Sequence, residues 1–329
     1  LTLPLLLVAL VCTYVLWRYT RFVVRIFEER PLFIVPRAQP LAGAEEVRFA
    51  TSDGLTLAGS YLRTPRQGRK GVILFGPEFG ASRWSCTAYC RHLLEAGFDV
   101  FSFDFRNQGE SDALPGYQPM QWVTNHEVED MRSAIRYLRS RADADPAGIG
   151  FFGISRGGGA GILAAATEPY VRCLVTDGAF ATITTMLPYM RKWASLYLTW
   201  RRLEGLIPRW LYLLVAYYAL GHVSRRRRCW FPSMERAMAR LSPRPLLMIH
   251  GGNDTYIKPE IAQALFRLAR QPKELWLVPQ AKHNQAIYLA ADEYRQRVLG
   301  FFQRHLSGAG TEASRRTGTP ACVAGTTTG

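Results

Sequence analysis

Lysine is scarce in this chain. Only five of its 41 basic residues are lysines, at positions 70, 192, 258, 273 and 282, so arginine carries nearly all of the positive charge. The six cysteines, at 12, 86, 90, 173, 229 and 322, contain no CxxC pair and no regular spacing. That excludes a disulfide framework and offers no metal site, so neither metal nor cofactor is expected. No internal repeat is present. The longest basic run, Arg225–Arg228, is short and borders aromatic residues, and no nucleic-acid motif accompanies it. A nucleic-acid partner is therefore not expected. Long apolar runs are also rare: after residue 17, even the stretch from Leu206 to Val223 is broken by Pro208 and Arg209.

What is present begins with an excess of charge. Against 41 basic residues stand 26 acidic ones, a formal net charge of +15. An arginine excess suits anionic surfaces such as lipid headgroups, and follows equally from a GC-rich genome. The first 17 residues, LTLPLLLVALVCTYVLW, carry no charge, and Arg18, Arg21 and Arg25 follow. About 17 to 25 apolar residues span a bilayer. Residues 1–25 are therefore read as a single-pass transmembrane anchor, with the arginines favouring a cytoplasmic location for the rest of the chain.

Residues 26–44 read as a linker, because Pro31, Pro36 and Pro40 deny it a helix. From Glu45 a hairpin pattern gives way to apolar runs alternating with helical patterns. The runs GVILFG (71–76), DVFSFDF (99–105), IGFFGI (149–154), VRCLVTD (171–177), PLLMIHG (245–251) and ELWLVP (274–279) are the expected strands. Such alternation predicts a mostly parallel sheet with helices on both faces. The core occupies 45–182 and 241–306. Residues 183–240, helical and rich in tryptophan, interrupt it as a cap whose outer aromatic and arginine face suits lipid. The tail, 307–329, has no periodicity and is expected to be disordered.

The pattern GxSxG is met by Gly153-Ile154-Ser155-Arg156-Gly157. Glycine and serine are common, so the pattern matters only where it follows a strand and opens a helix, as here. A tight turn of that kind strains the serine backbone and lifts its hydroxyl to the carboxyl edge of the sheet. The Arg156 N–H, at the start of the helix, then faces any oxyanion formed there. A serine hydroxyl needs a base. Of six histidines, His283 in PQAKHNQA lies in the loop after the last strand, where it can lean over the sheet edge. His250 ends a strand and reads as a packed histidine. The acid that orients the base is Asp254, in HGGNDTYI, with Asp177 as the alternative. The chain order is then serine, acid, histidine.

With FDFRNQGESD (103–112), the elbow around Ser155, HGGND and AKH in this order, the chain resembles the α/β-hydrolase superfamily over residues 45 to 306. Within it, the chain is most similar to membrane-anchored serine esterase, lipase or acyl-peptidase members. The resemblance implies the α/β-hydrolase fold and a Ser155–His283–Asp254 triad. One departure stands out. The loop after the first parallel strand, commonly His-Gly-x-Gly, is here Gly76-Pro77-Glu78-Phe79-Gly80-Ala81. The second oxyanion donor would be the N–H of Phe79 or Glu78, since Pro77 has none. Glu78 would oppose the developing charge unless it turned away or paired with Arg156 or Arg83. The expected activity is hydrolysis of a carboxylic ester with a hydrophobic acyl group or a lipid. Amide or peptide cleavage by the same residues, and a non-catalytic membrane-tethered binding module, are the alternatives. The expected partners are a small acyl ester and, through the N-terminal helix and cap, a membrane.

Overall fold

The computed structural model describes residues 2–29, 38–197 and 207–306. The middle of the expected linker, residues 198–206 of the expected cap and the tail read as disordered lie outside them.

Eight strands form one sheet: β1 (Glu45–Ala50), β2 (Thr56–Leu62), β3 (Gly71–Gly76), β4 (Phe98–Phe103), β5 (Ile149–Ile154), β6 (Val171–Asp177), β7 (Leu246–Gly251) and β8 (Lys273–Val278). Their order is β1-β2-β4-β3-β5-β6-β7-β8. The pairings of β2 with β1 and β4 are antiparallel, and the rest are parallel. The helices are α1 (Thr2–Glu28), α2 (Cys86–Glu95), α3 (Asn125–Ser140), α4 (Arg156–Ala165), α5 (Thr182–Tyr197), α6 (Arg209–Arg227), α7 (Met234–Arg240), α8 (Pro259–Leu268), α9 (Ala286–Leu289) and α10 (Ala291–His305). This is the α/β-hydrolase fold.

Burial on both faces explains why the central strands read as unbroken apolar runs rather than alternating ones. Successive residues of β3 serve opposite layers. Val72 and Leu74 pack with α3, α4 and α8, whereas Ile73 and Phe75 pack with α2 and α10. β3 lies between β4 and β5, so the chain leaves it in one direction and later returns on its other side. The crevice at that switch, beyond the strands' carboxyl ends, is where such sheets hold ligands. The loop after β3 and the turn after β5 meet there, with Gly76 and Gly153 in register. Local chemistry sets the helix starts as well: Thr124 and Glu127 form a reciprocal capping box on α3.

Between β6 and β7 the chain makes α5, α6 and α7. A third apolar cluster joins α5 and α6 to the second half of α1, with Val23, Val24 and Phe27 buried against Met190, Tyr212 and Val215. The reading of residues 1–25 as a transmembrane anchor is corrected here. Among the described residues, no helix is long and apolar enough to cross a membrane. The charge-free run stops at Trp17, and beyond it α1 becomes part of the protein. The Tyr19 hydroxyl donates to the Met190 carbonyl at 2.8 Å, and Trp122 Nε1 donates to the Phe27 carbonyl at 2.9 Å. Glu28 pairs with Arg226 at 3.1 Å and Arg227 at 2.9 Å. The helix thus runs three residues into the segment read as a linker.

Candidate active site

Ser155 closes β5 and opens α4 with φ of +50° and ψ of −118°. A non-glycine residue pays strain for a positive φ, and such strain persists only where surroundings enforce it. Two hydrogen bonds do so: the Ser155 N–H donates to the Asp177 carbonyl at 2.7 Å, and the Gly159 N–H donates to the Ser155 carbonyl at 3.0 Å. Gly157 allows the turn to sit close. A Cβ there would stand 2.3 Å from the Gly76 carbonyl oxygen and 2.4 Å from that of Pro77. Any side chain would push the loop after β3 off the elbow.

The Ser155 hydroxyl lies 2.9 Å from His283 Nε2. The other ring nitrogen, Nδ1, lies 2.7 Å from Asp254 Oδ2. Asp254 is buried, and its Oδ1 accepts the N–H groups of Tyr256 and Ile257, each at 2.8 Å. Two backbone donors and an imidazole therefore hold one carboxylate in a fixed direction. The three side chains come from the ends of β5, β7 and β8, far apart in sequence. The arrangement supplies a hydroxyl, a base within hydrogen-bond reach and an acid that sets the tautomer.

Asp177 takes no part in this chain. Its Oδ2 accepts the Tyr294 hydroxyl at 3.0 Å, and its Oδ1 has no hydrogen-bond partner among the described residues. Burial pushes its pKa up to about 7. His250 is buried too. Its Nε2 lies 2.7 Å from the Ile257 carbonyl, so that nitrogen carries the proton, and desolvation lowers the pKa of the ring.

The expected oxyanion residues meet at the same rim. Arg156 N1 of α4 carries the N–H nearest the elbow, but its side chain does not pair with Glu78. The guanidinium is buried over the rings of Phe79 and Phe105, at 5.2 and 5.1 Å, and donates to the Met120 carbonyl at 3.0 Å. It lies 3.4 Å from Glu127, and the Gln108 amide, turned with its oxygen inward, accepts from it at 3.0 Å. Arg83 is taken as well: it pairs with Asp104 and Glu46. Neither expected arginine neutralises Glu78. The Glu78 carboxyl is buried and accepts from Ser85 Oγ at 3.2 Å. Burial raises its pKa.

The FDFRNQGESD motif is scaffold. Arg106 donates from its backbone N–H and Nε to Asp130 at 2.9 and 2.8 Å, tying the loop to α3. Sequence reasoning missed Gly178, which follows β6 with φ of +67°. A Cβ there would lie 2.7 Å from Asn284 Oδ1 and 3.1 Å from His283 Cε1. An aspartate–glycine pair at a strand end was the available signal. It also missed the aromatic wall: Tyr256 and Phe180 stand edge-on to His283, with ring centroids at 5.4 and 6.5 Å. A cavity of about 820 Å³ lies apart, in the cap, lined by Leu187, Leu213, Tyr217 and Phe231 but by none of the three site residues. Geometry, not cavity size, marks the reaction centre.

A family model described as "Serine aminopeptidase, S33" matches residues 67–286. The chain is 29% identical over 265 residues to the uncharacterized protein YfhR of Escherichia coli O157:H7, covering 78% of this chain and 80% of that one. It is 31% identical over 132 residues to the thiohydrolase aneE of Aspergillus aculeatus, covering 40% of each. Among solved structures, an esterase of Pyrococcus furiosus aligns with a TM-score of 0.62 at 21% identity, covering 84% of this chain and 98% of that one. That last likeness is one of fold.

Proposed function

Because the chain belongs to the serine aminopeptidase S33 family of α/β-hydrolases, we propose that it is a serine hydrolase of carboxylic esters with hydrophobic acyl groups. The observation that carries this reading is the relay Ser155–His283–Asp254, at 2.9 and 2.7 Å, on a strained elbow.

In this reaction Ser155 Oγ attacks the acyl carbon as His283 Nε2 takes its proton. The oxyanion collects donation from the N–H groups of Arg156 and Phe79. His283, now an imidazolium facing Asp254, returns the proton to the leaving alcohol, whose C–O bond breaks. Water then attacks the acyl-enzyme, giving its proton to His283, and the tetrahedral intermediate expels Ser155 with that proton. The preference for an apolar acyl group is supported by the Phe180 and Tyr256 rings beside His283 and by the buried Met186 and Met190 of α5.

A fluorophosphonate probe tests the reading. The folded wild-type protein should label, and Ser155→Ala should not. Assays with p-nitrophenyl acyl esters and aminoacyl p-nitroanilides then separate the chemistries, and the esters should be turned over faster. Unlabelled folded protein would favour a binding module, and preferential anilide cleavage would favour a peptidase.

A further inference from the structure

The first half of α1 meets little of the protein. Leu6, Leu7, Leu10, Tyr14, Val15 and Trp17 are each more than half exposed. At 3.6 residues per turn these positions cover about half of the helix circumference. The run also has the polar bookkeeping that an apolar phase demands. Past its first turn the backbone groups bond within the helix, and the Thr13 hydroxyl donates to the Ala9 carbonyl at 2.8 Å.

A second apolar stripe lies on α6. Trp210, Leu214, Tyr217 and Tyr218 are exposed, at spacings that share one face, opposite the buried Tyr212, Val215, Ala216 and Ala219. The two helices run in the same direction. Tyr19 packs against the apolar cluster that contains Tyr212, and Glu28 pairs with Arg226 and Arg227. Trp210 is therefore level with the stretch around Trp17, and the part of α1 before Trp17 projects beyond the start of α6. At that same level are the exposed Arg18, Arg21 and Arg209, with the Arg21 guanidinium 4.7 Å from the Trp17 ring centroid. An apolar projection that ends in tryptophan and arginine matches a bilayer surface, where indole rings sit at headgroup depth and arginines reach the phosphates.

We propose that the first half of α1 inserts into an anionic phospholipid membrane, with Trp17, Trp210, Arg18, Arg21 and Arg209 at the headgroups. The arginines select the occupant: an anionic lipid surface complements them, whereas a second copy of this chain, with its net charge of +15, would bring like charge against them. The proposal does not rest on the ester chemistry, because its test reads binding rather than turnover.

The test is flotation of the full chain with phosphatidylcholine vesicles, with and without phosphatidylglycerol. The wild type should float with the anionic vesicles, and Trp17 fluorescence should be quenched by brominated acyl chains. The Leu7→Glu/Leu10→Glu variant changes two exposed side chains, so its circular dichroism should match the wild type while flotation is lost. Arg18→Gln and Arg21→Gln should each weaken binding to anionic vesicles roughly fivefold. Equal flotation of the double glutamate variant would overturn the proposal, as would a wild type that ignores both vesicles. A lipid-free dimer that the same variant splits, with no vesicle binding, would make the face a contact between copies and overturn it as well.

Discussion

The rim of the sheet and the cap solve different problems with different materials. At the rim, polar groups are over-determined: Asp254 is held by two backbone amides and an imidazole, and Ser155 keeps a strained φ because two backbone bonds enforce it. In the cap, α1, α5 and α6 are joined by apolar packing with few polar ties, and much apolar surface is left facing outward. Directional bonds fix atoms to tenths of an ångström, which catalysis requires. Apolar burial is non-directional and sets only which faces meet. The two regions touch through a file of rings, Phe27 on Trp122 at 4.7 Å, Trp122 to Phe180 at 5.6 Å and Phe180 to His283 at 6.5 Å. Damage at the rim should therefore appear in turnover, and damage in the cap should appear in stability.

The largest expected effect is on chemistry alone. Asp254→Asn should lower kcat by about four orders of magnitude, through loss of the orienting charge, with the melting temperature little changed. Asp177→Asn should leave most of the activity. Steady-state kinetics of the two variants decide the matter, and the reverse pattern would transfer the acid's role to Asp177.

Phe27→Ala breaks the comparison from the other side. Removing a buried ring stacked on Trp122 should destabilise the protein by about 3–5 kcal/mol, measured by denaturant unfolding. Turnover at a temperature where the variant is folded should fall by no more than roughly tenfold. A loss of kcat rivalling that of Asp254→Asn would show that the cap positions the reacting atoms.

A smaller effect depends on pH. Burial raises the Asp177 pKa from 3.8 to about 7, so between those values the folded chain keeps a proton that the unfolded chain has released. Stability owed to the neutral form is complete below pH 3.8 and declines as pH rises towards 7, above which the full penalty stands. Asp177→Asn removes the penalty. Relative to wild type, it should gain stability between pH 4 and pH 8 by roughly 2–4 kcal/mol. Parallel stability curves for the two proteins would rule out a neutral Asp177.

The rim was far more legible in the sequence than the cap, for the same physical reason. Strands buried on both faces must be apolar, so Gly71–Gly76, Ile149–Ile154 and Val171–Asp177 stand out with their observed bounds. The elbow announces itself because only glycine tolerates the approach at Gly157 to the loop after β3. Asp254 and His283 follow strands directly, so their arrival at the carboxyl edge is a consequence of strand direction. The second half of α1 was misread because an apolar helix looks alike whether lipid or protein covers it. The contacts that dock it, Tyr19 to Met190 and Glu28 to Arg226, join residues far apart in sequence and leave no local mark. The surroundings of Glu78, which the sequence left open between turning away and pairing with an arginine, were not legible on similar grounds. Arg83 is nearby in sequence, but its guanidinium is claimed by Asp104 from the FDFRNQGESD loop.

The central claim is that bond cleavage proceeds through an acyl group on Ser155. Mass spectrometry of enzyme quenched during turnover of a p-nitrophenyl acyl ester measures this directly. The account predicts an acyl adduct on the peptide carrying Ser155, more abundant in a His283→Ala variant pre-acylated with an activated ester, where release by water is slowed. Turnover accompanied by no adduct at Ser155, or by an adduct on another residue, would contradict it.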